Sequence, residues 1–400
     1  MSGQVSGPLA GVKVLDLTSV LMGPYATQIF ADLGADVIKI ESPEGDTTRG
    51  LPPVLGPKQG AMFLNVNRGK RSIAVDLKAE AGRALVLRLA ETADVFIHSM
   101  RGAAIQRLGL DYAALRAANA KIIYANLYGF GRGGPYSDYP AYDDIVQGAS
   151  GLASLQARLT GGEPGYVASA VADKVAGLTG AYAVMAALFS RERTGEGQEI
   201  EVPMFETMAS FVMTEHLCGA VTEPPSGPPE YPRVTAPDRK PYRTRDGHIG
   251  LMIYNDKQWR SFFSLIGNPD WSRDPMFASM TSRTENIQTV LGKLGDVIAT
   301  RTTEDWMDAF RTAEIPAMPI LSTSDLLDDP HLAATGFWHR ADSALGRVRM
   351  PGIPTRFSGT PGKIGDIGPE LGADNRGVLE EAGFSAEEIA ALETAGVLKG

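Results

Sequence analysis

Val12-Lys-Val-Leu-Asp-Leu17 is a short apolar run of strand character, and Gly23-Pro24 opens a helical stretch through Leu33. Asp36-Val-Ile-Lys-Ile-Glu41 repeats the strand pattern. Further strands are expected at Arg71-Ser-Ile-Ala-Val-Asp-Leu77, Asp94-Val-Phe-Ile-His98 and Lys121-Ile-Ile-Tyr-Ala-Asn126, with a helix over 79–92. Strands alternating with helices predict an α/β fold, a mostly parallel sheet covered by helices. Open sheets of this kind bind ligands in loops at the carboxyl ends of their strands, which is where chemistry is to be sought.

Beyond that region the pattern changes. Thr222-Glu-Pro-Pro-Ser-Gly-Pro-Pro-Glu-Tyr-Pro232 reads as a linker. Tyr242 to Tyr254 reads as a hairpin turning at Asp246-Gly247, followed by amphipathic helices near Trp259–Ile266, Ile287–Ile298 and Glu304–Ala313. A smaller α+β domain is therefore expected. From about His331 the chain turns irregular, then closes on Ser385-Ala-Glu-Glu, a capping-box pattern. The expected division is 1–205 for the first part of a large domain and 206–230 for a linker helix and Pro-rich connection. Residues 231–330 then form the small domain, and 331–400 a segment returning to the large one.

Four hundred residues exceed one ordinary core, so two domains are the prior. Hydrophobic and charged fractions of 44% and 21% are those of a globular protein. A single cysteine, Cys218, excludes an intramolecular disulfide framework and suits a reducing cytoplasm. It reads as a buried small hydrophobe. No signal-peptide pattern is seen at the N-terminus, and no run approaches the roughly 20 apolar residues of a membrane span. A formal charge of −9 argues against nucleic acid as a partner.

Candidate chemistry narrows quickly. Five scattered histidines lack any ligand spacing, and the adjacent Asp143 and Asp144 face different ways, so no metal site is expected. Nor is there a Gly-x-Ser-x-Gly elbow. Gly129-Phe-Gly131-Arg-Gly133-Gly134 matches a dinucleotide fingerprint, but Pro135 follows where a helix should receive the pyrophosphate. Those glycines read instead as tight turns beside a pocket. Arg68, Lys70, Arg71 and Lys78, with Arg101 and Arg107, form a basic group that is either a solvated surface or a site for a phosphorylated cofactor. Asp173 opens the apolar helix that continues through Tyr182 to Phe189. At that end a carboxylate is held ionised by free N–H groups and the dipole, which suits either a nucleophile or an ordinary N-cap.

Six blocks in order carry a resemblance. They are 8–17, 31–41, Asn67-Arg-Gly-Lys-Arg-Ser-Ile-Ala-Val-Asp-Leu-Lys78, Tyr128-Gly-Phe-Gly-Arg-Gly-Gly-Pro-Tyr136, 141–151 and Arg193-Thr-Gly-Glu-Gly-Gln198. The chain resembles a family III CoA-transferase, the group of formyl-CoA and carnitine CoA-transferases, over nearly its whole length. The resemblance implies a Rossmann-like large domain, an interlocked homodimer, and a catalytic carboxylate that falls on Asp173. CoA or acyl-CoA is implied as a substrate, with no tightly bound cofactor, and a small carboxylic acid as the acceptor. Implied CoA contacts are Val20, Leu21, Val75, Asp76, Lys78, Ser99, Met100, Arg107 and Tyr142. Backbone N–H groups of Gly129, Gly131, Gly133 and Gly134 are candidates for oxyanion stabilisation. Leu21, Ser42 and Ser99 depart from the Gln, Arg and Asn of the formyl-CoA transferase pattern. The α-methylacyl-CoA racemases resemble the chain too, but their acid–base His belongs where Tyr142 stands. A non-catalytic CoA-binding protein is the remaining alternative, and it would not need Asp173.

Overall fold

The computed structural model describes residues 6–399. Along the chain come β1 (Lys13–Leu17), α1 (Met22–Asp32), β2 (Asp36–Glu41), α2 (Ala61–Val66), β3 (Arg71–Ala74) and α3 (Glu80–Ala90). β4 (Val95–His98), α4 (Gly102–Arg107), α5 (Tyr112–Ala118), β5 (Ile123–Tyr128), α6 (Asp143–Ala149) and α7 (Leu152–Thr160) follow. Next are α8 (Val171–Thr194), β6 (Gln198–Pro203) and α9 (Met204–His216).

Strands β1 to β6 form one sheet in the order β3-β2-β1-β4-β5-β6, and every neighbouring pair is parallel. Strand order reverses between β1 and β4, which makes their carboxyl ends a topological switch point. Covered on both faces, the central strands are almost wholly buried, and their large apolar residues made them legible as strands. β3 stops at Ala74, short of the expected Leu77. There Val75 pairs with Leu398 instead, and Asp76 N–H donates to the Val397 carbonyl.

Two compact units result. The first takes in residues up to 150, then 168–209, and those from 331 onward. One face of its sheet packs on α3 and α5 together with Leu379, Ile389 and Leu398 from the chain's last stretch. That stretch contains a hairpin, β10 (Trp338–Ser343) with β11 (Gly346–Pro351), where irregular structure was expected. The capping box at Ser385 and Glu388 is formed as expected.

The second unit comprises 151–167 and 210–330. Residues 151–167, placed by sequence with the first domain, therefore belong to the second. Gly151 in the left-handed conformation turns the chain, and α7 then packs on α10 (Pro232–Thr235). A three-stranded antiparallel sheet, β7 (Tyr242–Arg243), β8 (His248–Leu251) and β9 (Ala317–Pro319), accompanies an aromatic core. Trp259, Phe262, Phe277, Trp306 and Phe310 lie at its centre. Cys218 is exposed in this unit, not buried as expected.

α8 is long and apolar enough to span a bilayer by length and composition, although the sequence showed no uninterrupted run. Its apolarity has a local cause, because it is the crossover helix between β5 and β6 and packs on α1 and β5. Gly177 and Gly180 permit the approach. A Cβ on Gly177 would stand 2.6 Å from the Met22 carbonyl oxygen, and one on Gly180 3.0 Å from Leu127 Cδ2.

Candidate active site

The turn from β1 into α1 is braced from several sides. Asp16 Oδ1 accepts from Thr18 N and Oγ1 at 2.9 and 2.5 Å. Lys39 Nζ donates to the Thr18 carbonyl at 3.0 Å and to Asp46 Oδ2 at 3.1 Å. Val20 N–H donates to the two Asp46 oxygens at 3.2 and 3.4 Å, and its φ is +68°. Across the switch point, Ser19 N–H donates to Ser99 Oγ at 3.1 Å, tying the loops after β1 and β4 together. Burial opposes ionisation of Asp16, but Lys70, Lys39 and the hydroxyls of Thr18 and Thr27 outweigh it and hold the carboxyl at about 2.

α8 begins at this same edge, because a crossover helix runs back against the strands it connects. Ala170 is its N-cap, so Asp173 is the third helical residue and the capping reading is set aside. The capping duty falls to Asp143, at the start of α6, whose Oδ2 accepts the Asp173 N–H at 2.9 Å. Gln147 Nε2 in turn donates to Asp143 Oδ1 at 2.5 Å and to the Ser169 carbonyl at 3.3 Å. Among the described residues the Asp173 carboxylate itself has no hydrogen-bond or ion-pair partner. Burial first, then the Asp143 charge, push its carboxyl up to about 6. This corrects the expectation that the helix end alone keeps it readily ionised: desolvation and a like charge win. At pH 7 such a group is still roughly nine-tenths ionised.

The expected contacts divide into three groups. Val20, Leu21, Ser99 and Met100 are half-buried at the switch point, where ligands of such sheets bind. Lys78, Arg107 and Tyr142 are exposed after β3, in α4 and before α6, and neither cation has an ion-pair partner among the described residues. Val75 does not fit a side-chain contact, because it is wholly buried against the C-terminal segment. Asp76 Oδ1 accepts from Lys78 N at 2.9 Å, shaping that loop.

Half of the basic group dissolves. Arg68 pairs with Asp32, Lys70 with Asp16, and Arg71 with Asp36 and Glu381, so these three cations are structural. Lys78, Arg101 and Arg107 remain exposed. The glycine loop also needs correction. Gly131 N–H is committed to the Glu206 carboxylate at 3.0 and 3.2 Å, and a Cβ there would strike Glu206 Oε1. Arg132 fastens the loop further to Glu199 and Glu201. Gly129 packs against Ala141, while Gly133 and Gly134 meet no close neighbour. Met22 and Gly23, in the uncapped first turn of α1, have N–H groups without a protein partner among the described residues.

Two residues escaped the sequence reading. Asp143 was weighed only against its neighbour Asp144, and its partner lies thirty positions away. Asp46 gave no signal of its own, but Lys39 did. A lysine in the middle of an apolar strand must be buried with a counter-charge. Among the described residues no three His, Cys, Asp or Glu side chains converge as metal ligands.

A doubly wound parallel sheet, with a carboxylate that lacks a bonding partner among the described residues near its carboxyl edge, defines an α/β protein with a candidate reactive group where such sheets bind ligands. The model for CoA-transferase family III matches residues 9–375, and the chain belongs to that family. It is a CoA-transferase by relationship across most of its length. Succinate–glutarate CoA-transferase from Agrobacterium fabrum is 36% identical over 390 residues, covering 94% of this chain and 95% of that protein. Acetyl-CoA:oxalate CoA-transferase from Acetobacter aceti is 34% identical, covering 88% and 90%. The crystal structure of a CAIB/BAIF family protein from Brucella suis superposes with a TM-score of 0.79 at 32% identity, covering 94% of this chain and all of that one.

Proposed function

We propose that the protein moves CoA between an acyl-CoA donor and a carboxylic acid through covalent intermediates on Asp173. The observation that carries this reading is the Asp173 carboxylate, which is fixed through its own N–H by Asp143 yet has no partner on its oxygens among the described residues. A buried carboxylate without bonds to satisfy it is poorly stabilised as an anion and correspondingly nucleophilic.

The carboxylate attacks the thioester carbonyl, the C–S bond breaks, and CoA thiolate leaves a mixed anhydride. The thiolate then attacks the Asp173 carbonyl of that anhydride. Donor carboxylate departs and an aspartyl-CoA thioester remains. The acceptor carboxylate attacks this thioester, releasing thiolate and giving a second anhydride. Attack of the thiolate on the acceptor's acyl carbon forms the product and returns the Asp173 carboxylate. Each addition places charge on a carbonyl oxygen and calls for N–H donors. Since Gly131 is committed elsewhere, the open first turn of α1 is the better supplier.

Lys78, Arg107, Val20, Leu21, Ser99 and Met100 hold the CoA moiety in this reading, at the edge where nucleotides bind in such sheets. The relatives' dicarboxylate substrates suggest short dicarboxylic acids for donor and acceptor. Family resemblance also supports an interlocked homodimer. Tyr142 stands where the racemases carry their acid–base His, which argues against racemase chemistry.

Intact-mass spectrometry after mixing with succinyl-CoA, glutaryl-CoA and acetyl-CoA tests the reading. Trapping with hydroxylamine or borohydride should mark Asp173, and Asp173→Ala should abolish the adduct while retaining CoA binding. An unchanged adduct in Asp173→Ala overturns it. Exchange of the α-proton into deuterated water without any adduct would point to racemisation instead.

A further inference from the structure

We infer that Asp46 is a positioning residue for the transfer reaction: it holds Val20 in a left-handed backbone conformation and thereby fixes the loop on which the acyl-CoA rests. The inference depends on the acyl-CoA reading above. Val is β-branched, and a β-branched residue at φ +68° is a genuine outlier that persists only when its surroundings impose it. Here the imposing group is visible. The Asp46 carboxylate, 1% exposed, accepts the Val20 N–H with both oxygens.

Asp46 is itself held from several sides. Its Oδ1 accepts from Thr48 N and Oγ1 at 2.9 and 2.7 Å, and its Oδ2 accepts from Lys39 Nζ at 3.1 Å. Its N–H donates to Glu41 Oε2 at 2.9 Å, and Glu41 is locked by Arg49 at 2.7 Å. Lys39, wholly buried in β2, also grips the Thr18 carbonyl two residues before Val20.

Buried ion pairs are weak devices for stability, since apolar side chains of similar volume usually serve as well. What the pair supplies that apolar packing cannot is direction, a fixed hydrogen bond to one strained amide. That amide lies between Ser19, whose N–H crosses the switch point to Ser99, and Leu21, which opens α1. Releasing Val20 lets the turn relax to φ below zero and re-aims Leu21, Met22 and Gly23 relative to the first turn of α8. The effect reaches the reaction through geometry alone; Asp46 touches no substrate.

The test is a double-mutant cycle on steady-state turnover of succinyl-CoA with glutarate, comparing Asp46→Asn, Val20→Gly and the double variant. In Asp46→Asn the amide oxygen stays with Lys39 and is the one neutral acceptor left to the Val20 N–H, while the NH2 group replaces Oδ1 against the Val20 and Thr48 N–H groups and loosens the grip. Glycine adopts a positive φ without being held. The expected loss of kcat/KM from Asp46→Asn is roughly tenfold or more beside Val20 and about threefold or less in the Val20→Gly background. Equal losses in both backgrounds overturn the inference, since a brace acting only on stability does not distinguish them.

Hydrogen exchange of the native enzyme gives a second readout that needs no variant. The Val20 amide should exchange at least about tenfold more slowly than an unstructured one, and exchange at the unstructured rate overturns the hold itself. The two readings fail separately. Absence of the Asp173 adduct in the unaltered enzyme removes the mechanism, whereas an adduct accompanied by an additive cycle removes only the role of Asp46.

Discussion

Asp143 and Asp173 meet at one helix end, where the Asp143 carboxylate accepts the Asp173 backbone N–H at 2.9 Å. One carboxylate thus serves as the missing cap of α8, while its charge opposes ionisation of the other. Asp143→Asn separates the two roles, because an amide oxygen still accepts the N–H but carries no charge. The acid limb of kcat/KM for acyl-CoA should lie near pH 6 in the unaltered enzyme, where protonation removes the nucleophile. It should move to lower pH in Asp143→Asn. Profiles between pH 4.5 and about 8 decide the matter, and an unmoved limb would show that burial alone sets it.

The same shift predicts a stability cost. Asp173 titrates near 6 in the fold against 3.8 as the reference, so the folded state binds its proton more tightly than the unfolded chain does. Ionising it therefore destabilises the fold. That penalty is fully present above pH 6, shrinks as pH falls through the interval, and is absent below 3.8. Asp173→Asn should melt higher than the unaltered protein at pH 7.5, lose that advantage toward pH 4, and be inactive at both. Thermal melts at the two pH values check it. Stability gained by removing a reactive group is the expected trade at such sites.

The sequence was most readable where the sheet is buried on both faces. β1, β2 and β4 are almost wholly buried and carry β-branched and other large apolar residues between their few charges, which leaves such segments little freedom of reading. β6 was missed because it is an edge strand, and Gln198-Glu-Ile-Glu-Val-Pro carries solvent-facing polar residues. The hairpin of β10 and β11 was missed for a related reason. Cross-strand pairing defines it, and Arg340, Arg347 and Arg349 mask any apolar pattern. At the site, Asp173 was singled out through its place on a helix and the family resemblance. Asp143 and Asp46 owe their roles to tertiary contacts, and sequence spacing encodes no such contact. The basic group misled because charge composition does not reveal which cations are already paired.

In the second unit, Trp306 is wholly buried, stacks on Phe310 with centroids 5.0 Å apart, and donates Nε1–H to the Ile298 carbonyl at 2.7 Å. Trp306→Phe keeps an aromatic ring but removes the donor and part of the volume. The carbonyl loses this partner at the end of α13 (Ile287–Ile298). A loss of about 2–3 kcal/mol is expected, combining an unmade hydrogen bond with a small cavity. Urea denaturation followed by far-UV circular dichroism measures it, and a loss under about 0.5 kcal/mol would mean that the core refills the space.

Gly177 offers the sharpest separation of packing from chemistry. It lies one helical turn beyond Asp173 on the same face of α8, and its Cα faces the Met22 carbonyl oxygen at the start of α1. A Cβ at 2.6 Å from a backbone oxygen cannot be accommodated by rotating a side chain, so the two helices must part. Gly177→Ala should cost about 1–3 kcal/mol, the usual range for overpacking. The displacement acts where α1 opens beside Asp173, the nucleophile proposed above, so a fall in kcat is expected as well. Gly180→Ala is the control, because its Cβ would meet Leu127 Cδ2 at 3.0 Å, the flexible end of a side chain. That variant should lose less stability and keep most of its turnover. Equal effects from the two alanines, in melts and in kcat, would mean that the approach of α8 to α1 does not place Asp173.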